Sequence, residues 1–186
     1  MRFTSIVIKF FFIFLLFIGI AISKAYSINY NISIPMSYKF TGKDSTGSEF
    51  ESDKTQGVMV HFGFTQWGIG LETYETKVKN TSEDVNLKTN LYNITYGATG
   101  DGKSKGFWKY FGAGYGFGTD ELVCSYCKTY FYKSFAMQYI LLFDIPFSKS
   151  FSVKASLHQK TSKIRHKTKA ERDDFSATVI NIGLGF

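Results

Sequence analysis

From Tyr26 to Phe40 every even-numbered residue is apolar or aromatic: Tyr26, Ile28, Tyr30, Ile32, Ile34, Met36, Tyr38 and Phe40. None of the odd positions between them (Ser27, Asn29, Asn31, Ser33, Pro35, Ser37, Lys39) carries a large apolar side chain. Successive side chains of a strand point to opposite faces, so the stretch predicts a strand with one apolar and one polar face. At about 3.3 Å per residue it is long enough to cross a membrane at a tilt. Pro35 cannot donate to a ladder, which predicts a bulge or a local break there.

The period of two recurs along the chain. Val58, Val60, Phe62 and Phe64 alternate with Gly57, Met59, His61 and Gly63, and Trp67, Ile69 and Leu71 with Gly68, Gly70 and Glu72. Tyr92, Ile94 and Tyr96 follow. Next, Phe107, Phe111, Ala113, Tyr115 and Phe117 share a face opposite Gly112, Gly114 and Gly116, with Lys109 interrupting. Phe135, Met137, Tyr139, Leu141 and Phe143 form another apolar row, although Ile140, Leu142 and Trp108 break the rule. Phe151, Val153, Ala155 and Leu157 alternate with Ser152, Lys154, Ser156 and His158. Last, Ile180, Ile182, Leu184 and Phe186 alternate with Asn181, Gly183 and Gly185. These are eight candidate strands, and no helix-period stretch longer than about two turns competes after residue 26.

A soluble barrel alternates as well, but its apolar face points inward, where eight strands leave limited room. Here one face repeatedly carries bulky apolar groups and the other carries Gly, Ser, Asn, Lys, Glu and His. Small and polar residues suit a narrow interior, and bulky apolar ones suit lipid. Lys39, His61, Glu72 and Lys154 fall on the polar face, which predicts an interior ion-pair network and no wide pore. The connections alternate between long or polar (41–55, 79–85, 118–129, 161–173) and shorter (65–66, 98–105, 145–149). Gly100-Asp101-Gly102 and Asp144-Ile145-Pro146 provide turn chemistry. The expected fold is all-β: an antiparallel up-and-down transmembrane β-barrel of about eight strands, with both termini on the periplasmic side.

The first 25 residues read as a separate unit. Arg2 and Lys9 precede an uninterrupted apolar run, Phe10 to Ile22, and Ser23 and Ala25 place small residues at a cleavage site. This is the pattern of a secretory signal peptide, a helix removed after Ala25, with 26–186 as the barrel domain. Cleavage after Ser23 or Ser27 is also chemically reasonable, and a retained anchor is the alternative. Composition agrees with a membrane barrel. There are 20 Phe and 12 Tyr but only two Pro, and aromatic girdles account for such a bias. The formal charge is +7, but Arg2, Lys9 and Lys24 all precede residue 26, which leaves a mild +4 on the remainder. With no basic helix and no aromatic RNA-binding signature, nucleic-acid binding is excluded.

The C-terminal stretch from Ala177 to Phe186, with Ile180, Ile182, Leu184 and Phe186 in alternation, resembles the terminal assembly signal of outer-membrane barrels. Tyr110 to Phe117 resembles the glycine-alternating strand of opacity-like and OmpA/OmpX-like small barrels. The resemblance implies an eight-stranded monomer in the bacterial outer membrane, exported through the periplasm and read by the barrel assembly machinery. It also implies roles in structural linkage, adhesion or resistance.

Candidate chemistry is sparse. Cys124 and Cys127 are the only cysteines. Two thiols cannot complete a four-thiolate zinc site, so in an oxidising compartment a disulfide within the third long loop is expected. His158, Ser162, Glu171, Asp173 and Asp174 could compose a hydrolase on paper. The spacing from His158 to Ser162 departs from the His-x-Ser arrangement of lipid A deacylase barrels, however, and a lumen or rim histidine is the simpler reading. The basic run Lys163, Arg165, Lys167, Lys169 and Arg172 is expected in the fourth long loop. There it is either a solvated charge run or a contact for lipopolysaccharide phosphates. No catalytic, cofactor or metal site is expected. The expected role is non-enzymatic, structural or surface-interacting through loops, with outer-membrane lipid and lipopolysaccharide as partners and other surface ligands open. The alternatives are a lipid A-modifying enzyme and a soluble secreted barrel holding a small apolar ligand.

Overall fold

The structure is a computed structural model, and residues 28–64, 66–79, 84–98, 106–148 and 151–186 are described. The expected signal peptide and the Gly100-Asp101-Gly102 turn lie outside these residues. Nine strands follow in order: β1 (Ile28–Phe40), β2 (Ser52–Phe64), β3 (Trp67–Val78), β4 (Val85–Gly97), β5 (Phe111–Val123), β6 (Ser134–Ser148), β7 (Phe151–Arg165), β8 (Arg172–Asp174) and β9 (Ala177–Gly185). Consecutive strands β1 to β7 pair antiparallel, β7 pairs β9, and β9 pairs β1, so the sheet closes on itself. The short β8 extends the β7 hairpin at one end, and the barrel proper has eight strands. Closure leaves no free edge, which is what a strand structure in hydrocarbon requires.

The alternation of the sequence becomes a division between two surfaces. Ile34, Met36, Ile69, Leu71, Tyr92, Ile94, Tyr139, Leu141, Ile180, Ile182 and Leu184 point outward and are exposed, while Asn31, His61, Glu72, Asn93, Gln138, His158 and Asn181 point inward and are buried. Glycines give the interior its room. A Cβ on Gly68 would collide with the His61 imidazole, and one on Gly116 with the Asn93 amide. At the end carrying the shorter turns, outward aromatic rings form a belt: Trp67–Tyr96 at 5.1 Å, Tyr96–Trp108 at 5.3 Å, Phe111–Phe143 at 5.3 Å, Phe151–Phe186 at 5.9 Å and Tyr30–Phe186 at 5.5 Å between centroids. Such a girdle suits a membrane–water boundary, where an aromatic ring has one side in lipid and one near water.

Toward the opposite end, where the longer loops lie, the polarity of the two surfaces is reversed. On β3 the outward residues after Leu71 are Thr73, Glu75 and Lys77, and the inward ones are Tyr74, Thr76 and Val78. Inside this end, Tyr38, Phe40, Tyr74, Leu87, Leu91, Leu122, Ile164, Phe175 and Val179 pack into an apolar core. Full burial of each large side chain contributes about 1.5–3 kcal/mol. β1 makes the change through the irregularity expected at Pro35. The β1–β9 register shifts between Pro35 and Ser37, which turns Tyr38 and Phe40 inward and Lys39 outward. Lys39 is therefore not a lumen residue, because one extra residue in a strand moves all later side chains to the other face.

Several boundaries differ from expectation. β5 continues to Val123 and β7 to Arg165, so the third and fourth loops shrink to 124–133 and 166–171. Asp144-Ile145-Pro146 is not a turn but part of β6, which pairs with β7 as far as Ser148. Phe107 and Trp108 lie in a 3-10 turn, Gly106–Lys109, rather than on β5. Ile140 and Leu142 point inward and pack with Ala98 as a small apolar cluster.

Candidate functional site

The inward face holds three polar layers, stacked along the axis by alternate residues of β7. Nearest the short-turn end, Lys154 Nζ lies 3.2 Å from Asp144 Oδ2 and donates to the Ala98 carbonyl at 2.7 Å. In the middle layer Glu72 collects donors from four strands. Gln138 Nε2 donates to its Oε2 at 2.6 Å and Asn93 Nδ2 at 3.0 Å, while Asn181 Nδ2 donates to its Oε1 at 3.3 Å and His158 Nδ1 lies 3.2 Å away. A carboxylate offers about four lone-pair sites, so the site is filled. Above it Lys160 Nζ meets Asp120 Oδ2 at 2.5 Å, and Thr89 Oγ1 donates to Asp120 Oδ1 at 2.6 Å. His61 forms a side branch: Asn31 Nδ2 donates to its Nδ1 at 3.1 Å and its Nε2 donates to Thr95 Oγ1 at 2.6 Å, with the ring proton assigned from these partners. Lys160, Asp120 and His158 have no solvent exposure. The arrangement is a packed polar plug among the described residues.

Of the four expected lumen charges, His61, Glu72 and Lys154 are inside and Lys39 is not. The paper hydrolase does not assemble. His158 turns to Ser156, with Nε2 to Oγ at 2.8 Å, and not to Ser162, while Asp173 pairs with His166 at 3.0 Å. Ser156, His158 and Glu72 do stand in the order of a nucleophile, a base and an orienting acid. Ser156 is buried, 3% exposed. Ser156 lies inside, as its parity with Lys154 and His158 predicts, whereas Lys160 and Asp120 were missed as interior residues. The parity of Lys154 and His158 along β7 extends to Lys160, and that of Gly112–Gly116 along β5 extends to Asp120.

At the loop end, connections interlock into a cap. The rings of Phe50 and Phe175 stack at 4.3 Å, and Ser45 N donates to Asp173 Oδ1 at 2.9 Å. Asp44 Oδ1 accepts from Thr46 Oγ1 at 2.7 Å and from Ser48 N at 2.8 Å. The Thr46 hydroxyl and the backbone amides of this turn hold the Asp44 carboxyl below its usual range. Cys124 and Cys127 stand at disulfide distance, with Cα atoms 5.1 Å apart, before the helical turn α1 (Cys127–Tyr130). The basic run is not one loop. Lys163 and Arg165 are outward residues of β7, Arg172 belongs to β8, and only Lys167 and Lys169 lie in 166–171. The cause is the continued pairing Lys163↔Asp174 and Arg165↔Arg172 beyond the apolar band. Ile180, Ile182 and Leu184 on β9, with Phe186 just after it, form one exposed outward row. Among the described residues no group of three or more His, Cys, Asp or Glu converges to hold a metal ion.

A closed antiparallel eight-stranded barrel with an outward apolar band and an inward polar plug is the architecture of the small outer-membrane barrels. No family model matches the chain, and no curated protein matches it. Among solved structures the chain is similar to the crystal structure of the outer membrane protein OprG from Pseudomonas aeruginosa. The identity is 16% and the TM-score 0.45, over 85% of this chain and 93% of that one.

Proposed function

We propose that the chain is a non-enzymatic integral protein of the bacterial outer membrane that is closed to solutes and presents its loop-end cap to the cell exterior. The observation that supports this most is the reversal of polarity along the barrel. Apolar residues face outward over the belt and polar ones over the cap, as a cylinder half in lipid and half in water requires. A soluble barrel would not leave Ile69, Leu71, Ile94 and Tyr139 exposed together. The buried Lys160, Glu72 and Lys154 layers argue against conduction. The chain is read as exported by a signal peptide cleaved after Ala25. The Ile180, Ile182, Leu184 and Phe186 row is then presented to the barrel assembly machinery, and the protein acts as a monomer. The outward cations Lys163, Arg165, Lys167, Lys169 and Arg172 lie where lipopolysaccharide phosphates meet water.

Membrane fractionation tests the reading. Carbonate-resistant association with outer membranes and a heat-modifiable gel band are expected, and a soluble periplasmic or secreted protein would overturn it. Planar bilayers should show no large steady conductance. Lipid A from expressing cells should keep its acyl chains, and loss of one would revive the enzyme reading.

A further inference from the structure

Two clefts lie one above the other on the outer surface of β2–β4, the lower one reaching β5. The lower one, of about 300 Å³, is apolar and is lined by Phe62, Ile69, Leu71, Tyr92, Ile94 and Phe117. The upper one, of about 510 Å³, is polar, and Lys54, Gln56, Thr73, Glu75, Lys77 and Lys88 are among the residues that line it. Leu71 lines the lower cleft and Thr73 the upper, and these are successive outward residues of β3, about 7 Å apart. On this face polar side chains begin directly above Leu71 and Tyr92, whereas on β6 the outward row stays apolar from Phe135 to Ile145.

The three lysines outnumber the one acid lining the cleft. Lys77 is held by Asp84 at 2.6 Å, and Lys88 stands in the strand register between Glu75 on β3 and Glu121 on β5. Among the described residues neither Lys54 nor Lys88 forms an ion pair. Thr73 Oγ1 donates to Asn90 Oδ1 at 2.9 Å between the strands, which holds the Asn90 amide two residues along β4 from Lys88. Lysine ammonium groups from two strands, in excess over the single carboxylate of the lining, suit a phosphate, and an apolar trough immediately below suits an acyl chain.

We propose that the β2–β4 face is a specific site for one phosphorylated glycolipid of the outer leaflet, with a headgroup phosphate between Lys54 and Lys88 and an acyl chain along Leu71, Ile69 and Ile94. The site is separate from the basic β7–β8 surface. It rests on the reading that the outward band faces lipid.

The test uses the full mature chain refolded in detergent, with folding checked by heat modifiability, and a portion reconstituted into vesicles, where membrane insertion is checked by carbonate extraction. Native mass spectrometry then counts bound diphosphorylated lipid A. Wild type should retain one lipid, and Lys54→Gln with Lys88→Gln should lower the bound fraction about tenfold. Lys163→Gln with Arg165→Gln should leave it unchanged. The dephosphorylated lipid should bind about as weakly to wild type as the phosphorylated one binds to the double variant. Equal retention by the Lys54/Lys88 variant, equal binding of the dephosphorylated lipid, or loss only in the Lys163/Arg165 variant each overturns the proposal. Failure of the membrane reading itself would show separately, as wild-type protein extracted by carbonate.

Discussion

Replacing Asp120 with Ala leaves the Lys160 ammonium inside the barrel without its counter-charge. Lys160 has no solvent exposure; its Nζ lies 2.5 Å from Asp120 Oδ2, and its other hydrogen-bond partner is the Thr89 hydroxyl at 3.2 Å. Thr89 loses its own acceptor at the same time, because it donates to Asp120 Oδ1. Removing one partner of a buried pair costs about 3–5 kcal/mol, whereas replacing both with apolar groups of similar volume is close to neutral. At about 1.4 kcal/mol per factor of ten, the single change lowers the folding equilibrium constant by roughly two to four orders of magnitude. Asp120→Leu combined with Lys160→Met restores most of the loss. Urea unfolding of the barrel in lipid vesicles, followed by Trp fluorescence and the heat-modifiable band, compares the wild type with both variants. A cost below about 1 kcal/mol for Asp120→Ala would refute a dry, closed plug, since water reaching Lys160 would solvate the orphaned charge. A double variant no better than the single would also refute it.

Three shorter predictions follow. Ile94→Arg places a cation on the outward belt and is expected to cost about 2–4 kcal/mol in the same unfolding assay, while Glu75→Arg, above the belt, stays near neutral; equal costs would remove the belt's upper boundary. Thiol counting under denaturing, non-reducing conditions is expected to find no reactive thiol, and two would eliminate the Cys124–Cys127 bridge. The Asp44 carboxyl is depressed in the fold, so its contribution to loop order is complete above the ordinary aspartate range and is lost as pH falls through the lower folded value. NMR of the Thr46 and Ser48 amides should show loop release only below that range, and release at or above it contradicts the bonding seen.

The strand pattern was legible because parity is a local property. Any residue two along shares a face, so Ile69 and Leu71, or Ile180 and Ile182, announce themselves without knowledge of their partners. Pro35 also signalled a break, but sequence alone does not say whether a break preserves or exchanges faces, and Lys39 was misplaced for that reason. The strand ends failed differently. Beyond the belt, outward residues such as Thr119, Glu121, Lys163 and Arg165 are polar and imitate a loop, although β5 and β7 continue through them. The inner apolar core of the loop end was missed by the same route, since Leu87 lies between Asn86 and Lys88 and no outward apolar row marks its face. The Glu72 hub depends on contacts among β3, β4, β6, β7 and β9, which no spacing within one strand reveals.

The exchange of faces on β1 is open to a direct measurement. Nitroxide labels at Met36 and Lys39, each introduced as a single reactive cysteine in barrels reconstituted in vesicles, report contact with oxygen dissolved in lipid and with a water-soluble nickel complex. Met36 is expected to favour oxygen and Lys39 the nickel complex, because both point outward on either side of the polarity change. A label at Lys39 shielded from both reagents would place it inside the barrel and contradict the reversal of faces.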